Sequence, residues 1–146
     1  MTTQTPTGAE IAKLRNRLGL TQKALATLFG VTLATWQKKE SETSKETIGI
    51  RPAEFQFLLL LADEHPQYVL TQKQPELMTV QNKPSADDVR QMREAAGLSV
   101  EQAATLFECL PRSWQSKENP NTRGTLTVGE YNYLLLLASK HPYLSI

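Results

Sequence analysis

Sulfur and imidazole are scarce in this chain of 146 residues, which has one cysteine, Cys109, and two histidines, His65 and His141. A single cysteine excludes an intramolecular disulfide and fits a reducing compartment, so a cytoplasmic location is expected. Three such side chains fall short of the about four ligands that a zinc site needs, so no metal is expected. Charge of either sign is not in excess. Sixteen Lys and Arg against fifteen Asp and Glu leave a formal net charge of +1, and bulk charge selects no partner. Long apolar runs are missing too. The longest leucine runs, Leu58 to Leu61 and Leu134 to Leu137, are far below the ~20 residues that span a bilayer, so no membrane association is expected. The opening residues MTTQTPTGAE lack the basic region and apolar core of a signal peptide. There is no Gly-rich phosphate loop and no nucleophile–base constellation. No enzyme activity and no cofactor are therefore expected.

What is present is a repeat. Residues 10–40 read EIAKLRNRLGLTQKALATLFGVTLATWQKKE, and residues 88–118 read DVRQMREAAGLSVEQAATLFECLPRSWQSKE. The offset is 78 throughout, without insertion or deletion. Eleven positions are identical: Arg15/Arg93, Gly19/Gly97, Leu20/Leu98, Ala26/Ala104, Thr27/Thr105, Leu28/Leu106, Phe29/Phe107, Trp36/Trp114, Gln37/Gln115, Lys39/Lys117 and Glu40/Glu118. A self-match of that length implies one structural unit used twice.

In chain order, residues 1–7 are polar and expected to fray. A helix follows over about 8–18, with Ile11, Leu14 and Leu18 as its stripe. Thr7 and Glu10 can form a capping box, and Gly19 suits a left-handed cap. Thr21 caps a second helix that stops at Gly30. Thr32 caps a third over about 33–40, which carries Trp36. Helix, tight Gly-containing turn, helix is the pattern of a helix-turn-helix. A polar loop spans 41–51. Pro52 opens a fourth, leucine-rich helix that is apolar nearly all round and expected to be buried on more than one side. Pro66 is expected to stop it.

The second unit repeats this order. Ser85 and Asp88 supply a capping box, Gly97 ends the first helix, Ser99 caps the next, and Pro111 opens the third. The last helix is expected over about 128–140, and His141-Pro142 repeats His65-Pro66. Each histidine is expected to bond the last helix carbonyls or ease the dipole. These signals place a first domain at 1–69, a linker at 70–84 with room for a short extended piece, and a second domain at 85–146. The expected fold is all-α: two tandem four- to five-helix units.

The stretch RNRLGLTQKALATLFGVTLATWQKKE resembles the helix-turn-helix of the Cro/phage-repressor (XRE) type. The resemblance covers about 65 residues of each half and is looser in the second. It implies sequence-specific binding of double-stranded DNA, most simply by a repressor of a small phage- or plasmid-like operon. It also implies an ion pair between an arginine late in the first helix and a glutamate ending the recognition helix, here Arg15 with Glu40 and Arg93 with Glu118. Gln22, beside Thr21, takes the place of the family's DNA-backbone contact. Ser99 keeps that cap, while Val100 loses the amide. Base reading falls to the exposed side of the third helix, after the Thr32 cap: Leu33, Ala34, Gln37 and Lys38 in the first unit, and Pro111, Arg112, Ser113, Gln115 and Ser116 in the second. Arg can bind guanine, and Gln adenine, with two hydrogen bonds each. Trp36 and Trp114 match an aliphatic core position of the family and are expected to pack rather than stack on bases.

The units also differ. Glu108 stands where the first has Gly30, Leu110 replaces the Thr32 cap, and Cys109 aligns with Val31, which makes an inert buried thiol the expectation. Residues 7–50 hold seven Lys/Arg against four Asp/Glu, a surplus of +3, whereas residues 85–128 hold five against six, or −1. Phosphate attraction is the sequence-independent part of DNA affinity, so the first unit is better suited to hold DNA. The alternative reading is a helical protein–protein module, antitoxin-like or a dimerisation partner. Two units on one chain could form a pseudo-dimer through their Leu-rich helices, or one unit could serve a true homodimer.

Overall fold

The computed structural model describes residues 6–41, 49–122 and 124–146. Most of the expected polar loop 41–51 and most of the start expected to fray lie outside the described residues. Among the described residues the chain is all-α. Its helices are α1 (Gly8–Leu18), α2 (Gln22–Leu28), α3 (Leu33–Glu40), α4 (Pro52–Leu61), α5 (Ala86–Ala95), α6 (Val100–Leu106), α7 (Pro111–Lys117) and α8 (Val128–Leu137). A short antiparallel pair joins β1 (Thr71–Gln72) to β2 (Leu144–Ser145), with Thr71 opposite Ser145. No helix is long and apolar enough to cross a membrane among the described residues.

Local chemistry sets the helix starts. The hydroxyls of Thr7, Thr21, Thr32, Ser85, Ser99 and Thr127 each accept a backbone N–H three residues on, which satisfies one of the orphan donors of a first turn. Glu10 bonds the Thr7 hydroxyl, not its N–H, so that cap is not a full box. Ser85 with Asp88 is one. Pro52 and Pro111 occupy first-turn positions, where the missing N–H costs nothing.

Six helices end alike. A residue in the left-handed region donates to the carbonyl three back, and its successor to the carbonyl five back, at Gly19, Gly30, Asp63, Gly97, Glu108 and Ser139. Asp63 and Ser139 therefore end α4 and α8 at Leu61 and Leu137. Pro66 is not the stop, because the left-handed turn comes before it. Glycine is required at Gly30 for a second reason: a Cβ there would lie 2.5 Å from Cγ2 of Val128.

The core runs without a break through both halves. Each half has an aromatic trio at repeat-equivalent places. Phe29 lies 5.1 Å from Trp36 and 5.5 Å from Phe57; Phe107 lies 4.9 Å from Trp114 and 5.9 Å from Tyr133. Both tryptophans are fully buried, each stabilising by about 1.5–3 kcal/mol through apolar burial alone. The halves meet along α4 and α8, the most extensive contact between elements. Ala53, Phe57, Leu58, Leu60 and Leu61 of α4 are buried, as are Tyr133 to Leu136 of α8, so neither helix keeps a free apolar face.

Residues 70–84, expected as a semi-rigid spacer, are tied to both halves. The Thr79 hydroxyl donates to the Leu28 carbonyl at 2.7 Å. Asn132, fully buried in α8, accepts from the Val80 N–H and donates to the Val80 carbonyl, both at 2.8 Å. Thr125 donates to the Pro84 carbonyl, and Lys73 to the His141 carbonyl.

The histidines differ from expectation. His65 Nδ1 accepts from the N–H groups of Gln67 and Tyr68, while Nε2 meets Gln56 at 2.7 Å. His141 repeats this with Tyr143, Leu144 and Asn132. They staple the turn after the helix instead of its last carbonyls, because the proline turns the next N–H groups back onto the ring. Burial, helped by Lys73, lowers His141 to about 4, and burial lowers His65 as well. Both rings are therefore held neutral.

Candidate nucleic-acid interface

The turn between α2 and α3 spans Phe29 to Thr32, with Gly30 at φ 66° and the Thr32 hydroxyl capping α3 through the Thr35 N–H at 3.1 Å. In the second half, Glu108 takes the left-handed place at φ 52°, and Leu110 gives α7 no side-chain cap. The backbone path is the same, but the second turn carries the strain of a non-glycine.

Behind α3 lies a hydrogen-bonded cluster. Arg15 meets Glu40 with two bonds, Nε to Oε2 at 2.7 Å and Nη2 to Oε1 at 3.1 Å, and its Nη1 donates to the Leu20 carbonyl. The Trp36 indole N–H donates to Glu40 Oε2 at 2.5 Å, and the Gln22 amide donates to Oε1 at 3.1 Å. Burial raises the Glu40 carboxyl, and the bonds from Arg15, Gln22 and Trp36 outweigh it, leaving the group below the usual carboxylate range. The second half copies this. Arg93 holds Glu118 with bonds of 2.6 and 3.1 Å and donates to the Leu98 carbonyl, and the Trp114 indole also donates to Glu118. Val100 cannot supply the amide that Gln22 gives.

This cluster fixes the rotation of α3 about its axis. Trp36 and Lys39 are buried, and Glu40 is nearly so, which leaves Leu33, Ala34, Gln37 and Lys38 exposed on the opposite side. Thr21 and Thr32, the two caps, are exposed beside them. On α7 the exposed side holds Pro111, Arg112, Ser113 and Gln115, with Ser99 nearby in sequence order at the start of α6 and Ser116 half-buried. Ser113 also lines a cleft at the junction of the halves.

Gln22 sits differently from a phosphate contact. It is half-buried, one amide N–H is given to Glu40, and its carbonyl faces the Gln37 amide at 3.5 Å. It belongs to the cluster that holds α3 and can meet a phosphate only with its second N–H.

Sequence reasoning missed three features. One is the indole–carboxylate bond, although Trp and Glu at i and i+4 recur in both repeats, and that spacing puts them on one face. Another is the buried Glu54, whose carboxylate accepts from the Arg51 N–H at 3.0 Å and from the Thr127 hydroxyl at 2.8 Å and lies 3.7 Å from Lys39. The third is its counterpart Glu130. The signal for both was a glutamate in the first turn of an otherwise apolar helix. Among the described residues no His, Cys, Asp or Glu cluster could hold a metal ion. Comparison with protein-family models, curated proteins and solved structures finds no match to this chain.

Proposed function

We propose that the chain is a sequence-specific binder of double-stranded DNA that acts as a transcriptional regulator, with α3 as its principal reading helix. One observation carries this reading. A short capped helix is clamped from behind by Trp36 and the Arg15–Glu40 pair and turns Leu33, Ala34, Gln37 and Lys38 outward as one patch. Such a patch can enter a major groove, where Gln reads adenine and apolar groups meet a thymine methyl. The first half also carries the positive surplus that phosphate binding needs. The resemblance to phage-repressor helix-turn-helix units rests on the quoted motif alone. The packing of α4 on α8 favours a pseudo-dimer within one chain over a separate homodimer.

Titration with duplex DNA from the region upstream of its own gene, at several salt concentrations, tests this. Affinity should fall steeply as salt rises. Gln37→Ala should relax base preference by about 1–3 kcal/mol at one base pair, while Lys38→Ala weakens all sequences alike. Salt-independent or absent binding across a selected DNA library overturns the reading. The second half supports another. Leu106 and Leu110 are 42% and 70% exposed, and the net charge there is −1, which suits a protein-binding surface better than a phosphate-binding one. A footprint combined with a solution mass separates the two: a monomer that covers about two half-sites has both units on DNA.

A further inference from the structure

The repeat places two equivalent clefts at the α4–α8 junction, and the described residues fill only one of them. In the filled cleft, Val128 occupies the space beside Gly30, the Thr127 hydroxyl donates to Glu54 Oε2 at 2.8 Å, and Lys39, itself buried, lies 3.7 Å from Glu54 Oε1. In the other cleft the equivalents are Pro52 for Val128, Arg51 for Thr127, Glu108 for Gly30, Lys117 for Lys39 and Glu130 for Glu54. Here a pocket of about 270 Å³ remains, lined by Arg51, Phe107, Glu108, Cys109, Lys117 and Glu130 among others. Glu130 is 4% exposed. Its Oε1 accepts the Thr127 N–H at 2.9 Å, but among the described residues no hydroxyl reaches it and no Lys or Arg nitrogen lies within 4.0 Å. Burial, with Glu54 nearby, raises its carboxyl, and Arg51 and Lys117 offset this only in part. The open cleft thus has a buried carboxyl that lacks the donor its twin has, below a rim with two cations.

We propose that this cleft binds a small zwitterion of amino-acid size, its ammonium taking the place that Lys39 and Thr127 fill for Glu54, and its carboxylate meeting Arg51 and Lys117. The pocket volume suits such a ligand. Glu130 and Glu108 match the two cations, so a zwitterion keeps the cleft's charge balanced: the ammonium faces Glu130, the acid faces Arg51 and Lys117, and the Phe107 ring and the Cys109 thiol form the wall. Ser113 and Lys117 belong to α7, so an occupant touches the helix that carries Arg112 and Gln115. The site itself stands whether or not α7 meets DNA.

Cys109 is the chain's one cysteine and lies half-buried in this wall, which makes it a built-in reporter. The rate of its alkylation by N-ethylmaleimide is measured on the full chain, with each common L-amino acid added in turn. At least one should slow labelling in a saturable way. Glu130→Gln should weaken that protection by about tenfold, the loss of one charge-assisted bond. Arg51→Thr copies Thr127, gives Glu130 a hydroxyl from within and should weaken protection likewise while leaving the fold intact, which covers the case in which Glu130→Gln does not fold. The proposal is overturned if no amino acid slows labelling at millimolar concentration, or if protection is unchanged in Arg51→Thr. Burial raises the Cys109 thiol, so labelling is run at alkaline pH, and a thiol that stays unreactive there in the free protein also overturns it, because the cleft is then closed. None of these readouts involves DNA, so failure here leaves the DNA reading untouched.

Discussion

The two halves share a motif and use it unequally. Around Glu40 and Glu118 they agree to within tenths of an ångström: a two-bond arginine, an indole N–H and a carbonyl that takes the third guanidinium bond. Around Glu54 and Glu130 they part. The first carboxylate has Lys39 and Thr127, and the second, among the described residues, has a backbone N–H only. The interior of each half-unit is thus copied, while the junction between the units is not. The reason is geometric: when two copies join through α4 and α8, two equivalent side chains cannot always take the same space at the join, and Val128 and Pro52 resolve this differently.

The largest effect should come from breaking what the halves share. Arg15→Ala and Arg93→Ala each leave a nearly buried carboxylate without its cation, and each should cost about 3 kcal/mol. Chemical denaturation measures both. Glu40 would retain Gln22 and Trp36, whereas Glu118 would keep the indole alone, so Arg15→Ala should be the milder of the pair once burial is matched. If both variants unfold at the parent's midpoint, the clamp behind α3 is not structural.

Acid should separate the halves next. His141 is held neutral with its value lowered to about 4, against an unfolded value of ~6.5. Between these the unfolded chain binds the extra proton, so stability is complete above ~6.5 and falls as pH drops toward 4, by roughly 3 kcal/mol. His65 shifts the same way but is half-buried. His141→Gln should flatten most of this slope, and His65→Gln only a little. A pH series of melts in which the two variants behave alike contradicts the assignment.

The turns give the smaller effects. Gly30→Ala puts a Cβ against Val128 at a left-handed position and should cost about 2 kcal/mol. At the equivalent turn Glu108→Gly should relieve strain and stabilise by about 1 kcal/mol. Opposite signs in thermal melts are the expected result, and a loss in both places would mean that Glu108 holds its turn through its side chain.

Much of this was legible before the structure. The eight helices follow from caps and apolar spacing, and Gly19, Gly30 and Gly97 mark left-handed ends. The ends at Asp63 and Ser139 were not legible, because neither residue type demands a positive φ. Trp36 and Trp114 read as core, since they match an aliphatic core position of the helix-turn-helix type that the motif resembles. Of the candidate site, the outward patch of α3 was legible through the resemblance of the motif. The place of Gln22 was not, because its partner Glu40 lies on another helix, 18 residues away.

By itself, then, the sequence determined the local and the repeated: helix starts and most helix ends, set by patterns within one or two turns that recur 78 residues on, while the Arg15–Glu40 and Arg93–Glu118 pairs, 25 residues apart, were legible only through the resemblance. Only the tertiary structure decided the rest. It bound residues 70–84 to Leu28 on one side and Asn132 on the other, gave Glu54 a hydroxyl donor from a threonine 73 residues away, and left Glu130 facing an open cleft. Such contacts join segments far apart in the chain, where no periodicity links one partner to the other. They are chosen by which side chains can occupy the shared space once α4 and α8 have met.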